Sequence, residues 1–183
     1  MKSIIGITGA FGSGKSTAAS LLEKKGYKKI ELSSYLEKEA IAQRLPVTRK
    51  TLQDLGNAMR EKSGSGVLLR LALQDQKNTD RIVIDGLRNL GEVELLKQGG
   101  GILLAVVADR DLRFERLKKL KRREKLTKSL FEQLDLRDLG VNEKITGLQT
   151  AFCIALADVF VDSNSSMDAF KEKINTFVQK YGK

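Results

Sequence analysis

The sequence predicts a single α/β domain of three layers, with a five-stranded, mostly parallel sheet between helices. Three observations carry this. Short β-rich runs alternate with longer helical patterns along all 183 residues, the arrangement that builds a doubly wound sheet. Several of those runs are almost purely apolar, as strands covered on both faces must be. A chain that is 41% hydrophobic and 31% charged, with no linker-like tract, suits one core rather than two.

The elements follow in order. Residues 4–8, Ile4-Ile5-Gly6-Ile7-Thr8, form the first strand, and a glycine-rich turn leads into the helix former Thr17-Ala18-Ala19-Ser20-Leu21-Leu22. Residues 29–32 form the second strand. A helical stretch over 33–78 comes next, interrupted by Pro46, the only proline, with Thr48 as N-cap of the helix after it. Residues 81–85 form the third strand and 102–108 the fourth. The triplet Gly99-Gly100-Gly101 precedes that fourth strand and reads as a helix-to-strand turn, at the wrong edge of the sheet for a ligand loop. Residues 159–162 form the fifth strand. Ser165-Ser166-Met167-Asp168, with Phe170, Ile174, Phe177 and Val178 at helical spacing, closes the fold as a packed helix. Ligands of such sheets bind beyond the carboxyl ends of the strands. Ser33 and Ser34, Asp85 to Arg88, and Asp109 with Arg110 therefore surround the glycine-rich turn.

Composition narrows the chemistry. The chain has no histidine, which removes His-based acid–base catalysis, serine triads and His-containing zinc sites. Its formal charge of +10 suits a polyanionic ligand, either nucleotide or nucleic acid. The lone Cys153 sits in the apolar run Ala151-Phe152-Cys153-Ile154-Ala155 and reads as buried filler. Nothing after Met1 resembles a signal peptide and no stretch is long enough to span a bilayer. A cytoplasmic protein without a membrane partner is expected.

The glycine-rich turn is Gly9-Ala10-Phe11-Gly12-Ser13-Gly14-Lys15-Ser16-Thr17, a G-x-x-x-x-G-K-S phosphate loop in its required context of strand before and helix after. Its backbone N–H groups can cradle phosphates, Lys15 can reach the β and γ phosphates, and the Ser16 hydroxyl can ligate Mg²⁺. Asp85 ends an apolar strand, where a second Mg²⁺ ligand belongs, and Arg88 projects over the same edge. Arg49, Gln53, Gly56 and Arg60 share one face of the helix after Thr48 beside an apolar stripe of Leu52, Leu55 and Met59. That face reads as a cradle for a second phosphate, or else as a solvated basic surface. Between Arg110 and Lys128 ten basic residues stand against three acidic ones, a basic lid over 110–140, a solvated helix, or a nucleic-acid track. Only Phe114 interleaves with the charges, which disfavours base stacking on single strands.

Together these residues resemble the nucleoside and deoxynucleoside monophosphate kinases, small P-loop kinases that include kinase-like and dephospho-coenzyme A kinase-like proteins. The loop 9–17, the string Val83-Ile84-Asp85-Gly86-Leu87-Arg88-Asn89-Leu90-Gly91-Glu92 and the helix from Thr48 to Glu61 carry the resemblance, with Phe11 where many members have proline. The resemblance implies a P-loop NTPase fold and ATP-dependent phosphorylation of a small, nucleotide-like acceptor. It implies that residues 9–17, Arg122 and Asn164 bind ATP. Ser16 and Asp85 would bind Mg²⁺, and Ser34, Arg49, Gln53, Gly56, Arg60 and Arg88 the acceptor. Lys15, Asp85, Arg88, Arg116 and Arg123 would act on the transferring group, with Arg113 among the lid cations. Asn164 enters through a similarity of Asp162-Ser163-Asn164-Ser165 to dephospho-coenzyme A kinases, whose acidic acceptor motif is replaced here by Glu31-Leu32-Ser33-Ser34. The same missing acidic pair disfavours shikimate-type kinases. A regulatory NTPase and a polynucleotide-directed kinase are the remaining alternatives.

Overall fold

The computed structural model describes residues 3–76, 79–120 and 125–182. In chain order the elements are β1 (Ser3–Thr8), α1 (Lys15–Glu23), β2 (Lys28–Glu31), α2 (Leu32–Ala42), α3 (Arg49–Ser63), α4 (Val67–Gln74) and β3 (Arg81–Asp85). They continue with α5 (Leu90–Gln98), β4 (Ile102–Val107), α6 (Arg110–Lys119), α7 (Lys128–Leu139), α8 (Thr150–Ala155), β5 (Val159–Asp162) and α9 (Met167–Tyr181). The strands form one sheet in the order β2-β3-β1-β4-β5, and all four pairings are parallel. The chain thus has an α/β P-loop kinase fold, fully parallel where the sequence reading expected a mostly parallel sheet.

Period-two alternation divides each strand between two cores. Ile5, Ile7, Val83, Leu104 and Val106 pack with α1 and α9, burying Leu22, Phe170, Ile174 and Phe177. On the other face Ile82, Ile84 and Leu103 pack under α2 to α5, with Leu36, Leu52, Leu68, Leu96 and Cys153. Cys153 is indeed buried, and burial pushes its thiol well above the usual range. Thr48 and Ser166 cap α3 and α9 as their side chains imply, accepting from the amides of Thr51 and Ala169.

Several boundaries differ from the sequence reading; β1 and β2 each begin one residue earlier, at Ser3 and Lys28. Leu32 opens α2 instead of ending β2, because its side chain is buried against α3 and α4 rather than paired along the sheet. β4 stops at Val107, one residue short of Ala108. The basic stretch divides into two separate helices, α6 and α7, joined where Arg110 and Arg113 pair with Asp135.

Candidate active site at the carboxyl edge of the sheet

The loop between β1 and α1 wraps the edge of the sheet. Gly9, Gly12 and Gly14 all have positive φ, at 148°, 82° and 99°, and the chain passes so close to β4 that a Cβ on Gly9 would lie 2.2 Å from the Val106 carbonyl oxygen. Gly9→Ala should therefore displace the loop. Calorimetry with Mg²⁺-ATP is expected to show at least a tenfold loss of affinity, about 1.4 kcal/mol, with the far-UV circular dichroism spectrum unchanged.

Lys15 is buried, and its Nζ donates to the carbonyls of Gly9 at 2.7 Å and Ala10 at 2.9 Å. Burial lowers its pKa to about 7; Arg88 and Arg49 push in the same direction, while Asp138 and Asp85 push against it. Ser16, in the first turn of α1, is exposed. Asp85 ends β3 in register with Ile7 and is buried, with no hydrogen bond or ion pair to its carboxylate among the described residues. A hydroxyl and one carboxylate beside a phosphate cradle fit Mg²⁺, which takes few protein oxygens and completes its shell with phosphates and water. No described cluster of three or more His, Cys, Asp or Glu forms an all-protein metal cage.

The face of α3 that carries Arg49, Gln53 and Arg60 is not solvated: these residues are 8%, 4% and 2% exposed. Glu92 of α5 explains Arg60, accepting from Nε at 2.9 Å and Nη2 at 2.8 Å, while its other oxygen caps α5 through the amides of Arg88 and Asn89. Arg49 donates to Asp138 of α7 at 2.8 Å, and Arg88 pairs with the same carboxylate oxygen. Arg49, Gln53, Gly56, Arg60 and Arg88 line one cleft, with a cavity volume of about 30 Å³. Nη1 of Arg60 and Oε1 of Gln53 are buried there without a hydrogen bond. Ser33 lines this cleft, whereas Ser34 turns back and donates to the Glu31 carbonyl at 2.7 Å.

The expected lid arginines hold the loop from behind. Arg113 is buried, donating to the Phe11 carbonyl at 2.9 Å and forking onto Asp135 of α7 at 2.5 and 3.0 Å. Arg116 grips Ser163 after β5, and Ser163 Oγ donates to the Ser13 carbonyl at 2.8 Å. In this arrangement both cations serve as struts rather than pointing out over the edge. Arg122 and Arg123 lie outside the described residues. Asn164 exchanges hydrogen bonds with Asp109, both at 2.9 Å, bridging the ends of β4 and β5 where a base could lie. The ring of Phe11 stacks on Phe131 and under the Arg49 guanidinium, 4.3 Å from its centroid, so the glycine-rich loop and α3 touch.

Sequence reasoning passed over Asp135, Asp138, Phe131 and Ser163, and gave Glu92 no role. One signal was available. Phe131, Leu134, Asp135 and Asp138 recur at i, i+3, i+4 and i+7, so both carboxylates lie on the apolar face of α7 and must be buried with partners.

Comparison with other proteins agrees with this architecture. A UPF0200 protein of Sulfurisphaera tokodaii is 34% identical over 178 residues, covering 97% of this chain and 96% of its own length. The chain belongs to the UPF0200 family. A second member, from Saccharolobus islandicus, is 32% identical over 93% of this chain and 89% of its own. Residues 5–139 also match the family model described as an AAA domain. Among solved structures, shikimate kinase from Acinetobacter baumannii in complex with shikimate has a TM-score of 0.62 at 18% identity, covering 98% of this chain and 93% of that one. A gluconokinase from Sinorhizobium meliloti has a TM-score of 0.51 at 18% identity, covering 98% and 92%. These likenesses to kinases are of fold alone. No helix among its described residues is long and apolar enough to cross a membrane.

Proposed function

We propose that this UPF0200 protein transfers a phosphoryl group from ATP to a small phosphorylated acceptor, most aptly a nucleoside or deoxynucleoside monophosphate. One observation carries the reading: a cleft beside the phosphate loop is lined by three arginines and holds buried polar atoms of Arg60 and Gln53 that no group among the described residues satisfies. Buried polar atoms without partners cost stability unless a ligand meets them. A switch NTPase without an acceptor has no use for such a cleft. A nucleic-acid track along 110–128 loses Arg113, which is 5% exposed, and leaves the buried cleft without a role.

In this reading the amides of Gly12 to Thr17 bind the donor's phosphates at the start of α1. Lys15 neutralises charge as it moves from donor to acceptor. Ser16 and Asp85 would hold Mg²⁺, which supplies further neutralisation on the donor oxygens. Arg88 and Arg49 orient the acceptor's anionic group, and Gln53 with Arg60 Nη1 contacts its remainder. A phosphate acceptor is already anionic near neutral pH, so no histidine or other dedicated base is required. The small cavity means that the cleft opens before an acceptor enters.

The test is a panel of ribo- and deoxynucleoside monophosphates with dephospho-coenzyme A, each with Mg²⁺-ATP, scored for acceptor-dependent ADP release. At least one nucleoside monophosphate should raise ADP release tenfold or more over the acceptor-free rate, about 1.4 kcal/mol of barrier. A response confined to dephospho-coenzyme A would shift the assignment to that acceptor. Hydrolysis that ignores every acceptor, or labelling of oligonucleotide ends alone, would defeat the reading.

A further inference from the structure

Asp138 is one of two fully buried carboxylates of α7, and cations from three different parts of the fold converge on it. Its Oδ1 accepts from Arg49 of α3 and from Arg88 of the loop after β3, while Oδ2 is buried without a hydrogen bond. Lys15 at the start of α1 adds its field. Burial alone would push this carboxyl up, but Arg88, Arg49 and Lys15 outweigh it and hold it below the usual carboxylate range. Arg49 and Arg88, two of the three arginines that line the cleft, are thus already joined by an anion supplied from within the chain.

We propose that Asp138 occupies the seat of the acceptor's anionic group, and that only an acceptor carrying a phosphate can displace it and open the cleft. This rests on the phosphotransferase reading and adds a selection rule to it. A phosphate monoester brings up to two charges and three acceptor oxygens to the two guanidinium groups, against one charge from a carboxylate, so it wins the exchange. A neutral sugar or base brings no competing charge and leaves the pair closed. The displaced carboxylate cannot remain buried without its arginines. α7 therefore shifts outward with Asp138 and enlarges a cavity that now holds about 30 Å³.

The test uses the whole chain and sodium phosphate, with no nucleotide present, so it reads the exchange whether or not phosphoryl transfer occurs. Spin labels on Gln133→Cys in α7 and Glu94→Cys in α5, both exposed positions, report where α7 lies; Cys153 is buried and stays unlabelled. Phosphate should lengthen the distance between labels by several ångströms. Asp138→Asn should bind phosphate about tenfold more tightly and show the longer distance before phosphate is added. A distance that stays fixed at saturating phosphate overturns the proposal, because phosphate held at the loop alone would leave α7 in place. So does an Asp138→Asn protein that binds phosphate no better than the parent. If that variant does not fold, the distance in the parent background decides alone.

Discussion

Lys15→Ala should abolish acceptor-dependent ADP release, lowering kcat by about a thousandfold or more, some 4 kcal/mol of transition-state stabilisation. The ammonium group is the one side-chain cation seated within the loop itself, and it is held there by the carbonyls of Gly9 and Ala10. The fold should survive its loss, because Lys15 is buried at an electrostatic cost: its pKa falls to about 7, mainly through burial. The sign of the resulting pH dependence is fixed. Between pH 7 and the unfolded value of 10.5 the unfolded chain holds a proton on Lys15 that the folded chain has released. Stability contributed at this position therefore rises with pH across that window and is lost as pH falls through it. Urea denaturation at pH 7 and pH 9 should show this increment in the parent protein and not in Lys15→Ala. Equal increments in both would sink the assignment of the titration to Lys15, and a variant that still phosphorylates an acceptor would sink the role of the loop.

Glu92→Ala should produce the largest loss of stability of any single change in the site, about 4 kcal/mol, as expected for breaking a buried pair and leaving one charge behind. Four donors depend on this carboxylate: Nε and Nη2 of Arg60 and the amides of Arg88 and Asn89. Arg60 is 2% exposed, so its guanidinium cannot turn to water once the carboxylate is gone. The same substitution removes half of the capping box at the start of α5, worth about 1 kcal/mol within that total. Native domains are stable by only about 5–15 kcal/mol, which places Glu92→Ala near the limit of folding at 37 °C. Glu94→Ala, exposed on the same helix, should change stability by no more than about 0.5 kcal/mol. Urea midpoints of the two variants make the comparison, and a loss below about 1 kcal/mol for Glu92→Ala would show that Arg60 finds another partner.

The two cases differ in how far they could be read from the chain alone. Lys15 belongs to a nine-residue loop whose geometry is local: the glycines that permit positive φ, the strand before and the helix after all lie within a few residues of one another. Glu92 pairs with Arg60 across 32 positions and Asp138 with Arg49 across 89. Periodicity placed Arg49, Gln53 and Arg60 on one face of α3 and left open whether that face met water or a ligand. Burial by α2, α5 and α7 removed the first of these, since those helices supply both the walls and the counter-charges. The basic stretch shows the reverse outcome. Its charge density suggested arginines reaching over the phosphates, but Arg113 and Arg116 turn inward because Asp135 and Ser163 offer fixed acceptors there.

What the sequence determined by itself was everything set by short-range chain geometry: the strand and helix rhythm, the caps at Thr48 and Ser166, the phosphate loop and the carboxylate that ends β3. The tertiary structure decided the strand order and the pairing of charges. A buried guanidinium needs a counter-charge or fixed acceptors, and which carboxylate arrives depends on how distant helices pack over the sheet.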